Sequence, residues 1–224
     1  MEKEKYHSAG VKSITSTSTN SEERTWTCTF AGEPIFTLGY SSCKTNNGRY
    51  SLGVSSESYT KVITSGYATI GAITGVRSLC KVKGDRSIAA TTGLECWSKN
   101  NGYLTISCAT ADYSEAYNEG IWTVSAVTGY GSTALNSGDC SISLASTYNS
   151  KAIVKGKESI AITTGVNCAA KGHIGCWLVL TEREKRRKEN SPIKNIKVVK
   201  VDGKIIKANT FYTLKDNKVV EFKE

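Results

Sequence analysis

Cys168, His173 and Cys176 form the one spacing in this sequence that a metal ion would recognise. Two thiolates and an imidazole suit tetrahedral zinc, but a structural site needs a fourth ligand and none stands nearby, so no metal is expected. The other cysteines, at 28, 43, 80, 96, 108 and 140, make no CxxC pair. They read as reduced, small interior residues rather than a disulfide framework. Imidazole bases are limited to His7 and His173, and neither belongs to a nucleophile motif. Carboxylate pairs are no more promising, because Glu22–Glu23 and Asp112 with Glu115 sit in exposed-looking stretches. Asp85, Asp112 and Asp139 are too few for a calcium roll, in which each turn supplies its own ligands. No Gly-rich phosphate loop enters a helix. The expectation is a protein that is not an enzyme, with no catalytic residues and no cofactor.

The elements that position these residues are strands. The chain has 224 residues, 39% hydrophobic, with 20 Gly, 2 Pro and 1 Met among many Ser and Thr. That composition excludes a helical bundle and favours short strands joined by tight turns. No apolar run approaches the ~18–20 residues of a membrane span, so no membrane partner is expected. The opening MEKEKYHSAG lacks the apolar centre of a secretory signal, and the expected location is cytoplasmic.

An internal repeat sets the architecture. From Gly39 to His173 the chain divides into fifteen nine-residue units without insertion or deletion. Position 1 is Gly in twelve of them and position 4 is Ser or Thr in thirteen, with Cys96 and Cys168 in the other two. Gly at position 1 is expected to supply a positive-φ turn. Positions 4 to 8 form a strand with 4, 6 and 8 on one face. Small residues at 4 and 6 suit a narrow interior, where each hydroxyl must bond to a neighbouring coil. Position 5 shows a longer period. Leu52, Ile70, Ile88, Ile106, Val124, Ile142 and Ile160 alternate with the mixed set Cys43, Lys61, Leu79, Trp97, Glu115, Thr133, Lys151 and Ala169. Two units therefore make one eighteen-residue coil of a parallel β-solenoid.

If the even positions point inward, the Ile column points outward and, with its position 7 neighbours, makes an apolar strip suited to a homo-oligomer. The alternative is that the column itself is core. Aromatic residues at positions 2 and 3, among them Tyr103, Tyr113, Trp122, Tyr130 and Tyr148, would stack along the turn edges. There they could bind a partner or stabilise the turns. Beyond His173, GCWLVLTE, IKNIKVVKVDG, KIIKANTFYTL and KDNKVVEFKE read as a small antiparallel cap, with Asp202-Gly203 and Asp216-Asn217 as hairpin turns. The expected division is 1–38 as an amino-terminal β cap or leader, 39–173 as solenoid and 174–224 as cap.

Net charge is +9, and residues 174–224 hold 13 basic and 7 acidic side chains. The cluster Arg183, Lys185, Arg186, Arg187 and Lys188 could touch phosphates, an acidic protein, or only solvent.

The units GKESIAITT and GVNCAAKG, followed by GCWLVLTE and VDGKIIKANTFYTLKD, resemble a family of nonapeptide-repeat proteins found in phages and gut bacteria. The resemblance covers roughly residues 84–224 and is strongest after Gly156; the Cys- and His-containing opening common in that family is absent here. The family carries no established activity. The repeats are also similar, more loosely, to the head repeats of trimeric autotransporter adhesins. What the phage context implies is a binding protein that inhibits or sequesters a component of host defence: a host protein, a nucleoprotein complex or a nucleotide signal. The alternatives are a structural or adhesive module of a phage fibre, and a nucleic-acid binder working through the basic tail.

Overall fold

The computed structural model describes residues 14–20, 23–28, 34–37, 42–46, 49–184 and 191–223. It is all-β, and the described residues contain no helix. Successive strands fall alternately into a twelve-stranded and a ten-stranded sheet, so two nine-residue units make one coil of a parallel β-solenoid. Residues eighteen apart are strand partners throughout the repeats: Trp97 pairs with Glu115 in the first sheet and Ile106 with Val124 in the second.

The interior is narrow and built from the even positions. Each four-residue strand buries its second and fourth residues and turns its first and third outward, as in Ile106–Ala109. The lumen is apolar towards both ends, with Val62, Ile73, Cys80, Val82 and Ala89 at one and Leu178, Leu180, Val201 and Leu214 at the other. Its middle is polar. Asn118 Nδ2 crosses from the twelve-stranded sheet to donate to Val124 O (2.7 Å) and Ser125 Oγ (2.8 Å). Its Oδ1 accepts from Thr105 and Ser107 of the coil before. Asn136 repeats this one coil later. At Asn100 the Oδ1 is left without a partner, because Ala89 stands where Ser107 and Ser125 stand in later coils.

Position 4 ties the coils together at the turns. Its hydroxyl accepts the position 4 N–H of the preceding coil: Thr60 to Ser78 (3.0 Å), Ser114 to Ser132 (3.0 Å), Ser141 to Ser159 (3.1 Å). It donates to a turn carbonyl, either one coil back (Ser114 to Gly93, 3.1 Å; Ser150 to Gly129, 2.8 Å) or its own (Ser141 to Asp139, 2.9 Å). Cys96 fills the same slot, accepting from Ser78 N (3.3 Å) and donating to Gly75 O (2.9 Å).

The role expected of glycine moves to another position. The positive-φ residue of the turn is position 3, held at 54° in Tyr113, 59° in Trp122 and 51° in Glu158; the position 1 glycines have ordinary φ. Position 1 needs Gly for space instead. A Cβ on Gly120 would run into the carbonyl oxygen of Gly102 in the preceding coil. On the repeat turns that lead into the ten-stranded sheet, position 1 is Gly at 66, 84, 102, 120, 138 and 156. The opposite turns admit Glu57, Ala111 and Thr147.

The ends also differ from expectation. Eighteen-residue parallel pairing starts before Gly39: Arg24 pairs with Ser42 and Pro34 with Leu52, and only Ile14–Asn20 is antiparallel to its neighbour. The 38/39 boundary therefore falls within the parallel stack. At the other end Trp177–Arg183 adds one more parallel strand at a spacing of seventeen, Trp177 opposite Ile160. The antiparallel strands then extend both sheets, Ile193–Lys200 one of them and Tyr212–Lys215 with Lys218–Glu221 the other. Asp216 and Asn217, both at positive φ, make the expected hairpin turn. Asp202 does not make one. Its Oδ1 accepts the N–H groups of Lys204, Ile205 and Ile206 and folds a loop that lays Ile206 over the lumen.

The two halves of the cap are joined through Glu182. Its carboxylate accepts from Asn195 Nδ2 (2.8 Å), Asp216 N (2.8 Å) and Asn217 N (2.9 Å). These bonds, led by Asn195, hold its pKa down at about 2 from the usual 4.5.

Two outcomes follow. Gly120→Ala and Gly129→Ala should each cost about 2–3 kcal/mol, because a Cβ at either meets a carbonyl of the preceding coil, whereas Glu158→Gly should stabilise by about 1 kcal/mol by relieving the left-handed backbone; urea unfolding checks the signs. A carboxylate with a depressed pKa stabilises the fold above its unfolded value. The cap should therefore weaken as pH falls from 4.5 through about 2, and Glu182→Gln should flatten that part of the melting-temperature profile.

Candidate functional site

Most groups able to do chemistry are already engaged in holding the coils. Asp85, Asp112 and Asp139 accept the position 2 N–H of the next coil, from Tyr103 (2.8 Å), Tyr130 (2.7 Å) and Lys157 (2.6 Å). Cys168 and Cys176 occupy position 4 slots on opposite turns, donating to Thr147 O and Gly156 O, while His173 is exposed with its Nδ1 at Ile174 O. Burial pushes the Cys80 thiol up to about 12. Among the described residues no three His, Cys, Asp or Glu side chains converge on one point. Cys28 and Cys43 lie outside the residues whose side chains are described.

The outer faces of the two sheets differ sharply. The twelve-stranded sheet presents Lys61, Lys81, Lys83, Lys99, Glu115, Glu119, Lys151 and Lys155. Lys99 bridges to Glu119 at 3.2 Å and lies over the Tyr117 ring at 4.5 Å. Burial pushes the Glu115 carboxyl up, opposed by Lys99 and Lys155. The ten-stranded sheet carries no charge at positions 5, 7 or 9 from Leu52 to Thr164. Its Ile column is outward, as expected from the even-inward packing: Ile70, Ile88, Ile106 and Ile142 are exposed, Ile106 at 40%, while Leu52, Val124 and Ile160 are half-buried.

The five aromatic candidates are not brought together. Units alternate between sheets, so their turns alternate between the two sides of the solenoid. Tyr103 and Trp122 lie on the turn row that leads into the ten-stranded sheet; Tyr113, Tyr130 and Tyr148 lie on the opposite row. On the second row Tyr113 and Tyr130 pack edge to face at 5.6 Å, and Asn149 Nδ2 donates to the Tyr130 hydroxyl at 2.7 Å. Arg77 on that row is tied to Glu95 at 2.6 Å, which lowers the Glu95 pKa and raises that of Arg77. On the first row Arg49 and Arg86 flank the Tyr67 ring at 5.4 and 5.5 Å.

Farther along this first row, sequence reading missed two partners of Tyr103 and Trp122. Leu104 and Ile121 are exposed beside them, and Leu104 N donates to Ile121 O across adjacent coils. Trp122 is 58% exposed, and Leu104 and Trp122 each stand two residues before the outward Ile106 and Val124. The signal was present as apolar residues at turn positions, where solvent-facing polar ones are the rule.

Of the basic cluster, Arg183 is half-buried, with Nε donating to Thr164 O (2.5 Å) and a terminal nitrogen to Ser191 O (2.6 Å). It lines a shallow cleft of about 290 Å³ with Tyr148. Lys185, Arg186, Arg187 and Lys188 lie outside the described residues. No described helix is long and apolar enough to cross a membrane. Comparisons with protein-family models, curated proteins and solved structures find no match to this chain.

The orientation of the Ile column has a direct test. Ile106→Lys should leave the fold intact by circular dichroism, whereas Ser107→Lys, one residue away and facing the lumen, should prevent folding.

Proposed function

We propose that this chain is a non-catalytic binding protein that engages a macromolecular partner through one turn row of a rigid solenoid. The observation that carries this reading is the cluster Tyr103, Leu104, Ile121 and Trp122. Four large apolar side chains stand exposed on adjacent coils, in a composition typical of energetically dominant interface residues. The engagement of thiols and carboxylates in the coil contacts supports a role exerted by surface rather than by reaction. The resemblance to phage and gut-bacterial repeat proteins supports a partner from bacterial defence, a protein or nucleoprotein complex, blocked by occupancy in the host cytoplasm. A macromolecule fits better than a nucleotide signal, because the cleft lined by Tyr148 and Arg183 is shallow and its guanidinium is already bonded to carbonyls.

One observation favours a second reading. Residues 191–223 carry eight Lys against Asp202, Asp216 and Glu221, a balance that would attract nucleic acid. A steep loss of affinity with salt marks that mode, and presence of the chain in purified tail particles marks a fibre module.

Expression of the chain in a bacterium carrying a defence system should restore plaque formation by a sensitive phage. A Leu104→Ala, Trp122→Ala variant, folded by circular dichroism, should lose the rescue and the co-purifying host component. Equal behaviour of wild type and variant across a panel of defence systems would overturn the reading.

A further inference from the structure

We propose that the uncharged outer face of the ten-stranded sheet is the seat of a second copy of this chain, joined by a two-fold axis. This inference stands apart from the partner reading, because it rests on the sheet face and not on the turn row.

The face is shaped to fit itself. Its position 5 column is a ridge of Ile70, Ile88, Ile106 and Val124, and the position 7 column beside it is a groove of Ala72, Ala90, Cys108 and Ala126, closed by Val54 at one end and by Leu144 and Ile162 at the other. Strand pairing places these residues in register without a bulge. A two-fold axis running along the columns, midway between them, lays each ridge into the groove of the other copy. Sheets packed face to face bury interdigitated side chains in the same way.

Charge selects the same face. Two copies that each carry +9 repel, and the outer face of the twelve-stranded sheet would add opposed lysines to that repulsion. The ten-stranded sheet has none between Leu52 and Thr164, so it is where two such copies can approach at least cost.

The cap enlarges the face to a useful size. Trp177 and Val179 continue the two columns, and the antiparallel partner strand places Val198 opposite Val179 and Ile196 opposite Thr181, with Lys200, over the Trp177 ring at 5.8 Å, as a charge at the rim of the face. Val198 and Ile196 are exposed at 57% and 58%. Nine strands spaced ~4.8 Å apart and ~14 Å of strand width give about 600 Å² per copy and about 1,200 Å² in total, the lower bound for a stable specific interface.

Cys108 supplies a built-in reporter. It lies in the groove at the middle of the repeats, half-buried, with its thiol pKa raised by burial. The axis sets Cys108 of each copy against Ile106 of the other, so dimer formation shields both thiols.

Sedimentation of the full chain should give twice the 24.2 kDa monomer mass. Ile106→Lys and, independently, Thr110→Lys on the same exposed face should give folded monomers, while Trp122→Ala should leave the dimer intact. Cys108 should react with a maleimide slowly in the wild-type dimer and faster in the Ile106→Lys monomer, while Cys140 should react alike in both. A wild-type monomer at all concentrations would overturn the proposal. So would a dimer insensitive to both lysine substitutions, a Cys108 reactivity unchanged by Ile106→Lys, or a monomer whose face instead binds phosphatidylcholine vesicles.

Discussion

The hydrogen bond between a position 4 side chain and the backbone of the adjacent coil is the constraint on which the rest of this structure depends. The position 4 backbone N–H groups of Thr60, Thr69, Ser78, Cys96, Ser114, Thr123 and Ser141 lie at the corner, where a side-chain oxygen or sulfur of the next coil receives them. An unpaired buried donor costs about 1–3 kcal/mol, so each of these corners would carry that penalty without the ladder. Ser, Thr and Cys are the side chains small enough to enter the corner and able to accept there. The same ladder requires the turns to stack closely, which leaves no space for a Cβ on Gly120 against Gly102 and drives position 3 into the left-handed region. Constant spacing follows, since one inserted residue would take a hydroxyl out of reach of its amide.

The period, the inward small residues and the outward Ile column were legible because each is a repeated pattern of residue type. Three features were not. Position 3 holds Tyr, Arg, Glu, Leu and Trp at positive φ, residues whose own preferences point elsewhere, so the strained corner leaves no mark in composition. The start of the stack was hidden because the paired strands Glu23–Cys28 and Ser42–Asn46 share spacing but not sequence. Cys176 looked like a metal ligand because the last coil is one residue short and moves it out of the nine-residue frame, although it serves as a position 4 residue. The division of the aromatic candidates between opposite turn rows was available from the eighteen-residue period. A nine-residue alignment places Tyr103 and Tyr113 in one list and so conceals that they face away from each other.

The polar lumen and the outer surface show the same economy of residues. Asn118 and Asn136 join the two sheets across the middle of the solenoid, where purely aliphatic packing would leave room for only small side chains. With carboxylates, hydroxyls and most described thiols engaged inside or between coils, what distinguishes one side of the molecule from another is shape and charge. One sheet is lysine-rich and the other uncharged across the repeats, and one turn row carries the exposed cluster Tyr103, Leu104, Ile121 and Trp122.

Residue-resolved hydrogen exchange on the native chain tests the central claim most directly. The position 4 amides of Thr60, Thr69, Ser114 and Ser141 lie outside the strands, and they should exchange as slowly as the strand amides of Ile88 and Ile106, through opening of the whole stack. Rapid exchange at those four positions, at the rate of exposed turn amides, would contradict the account.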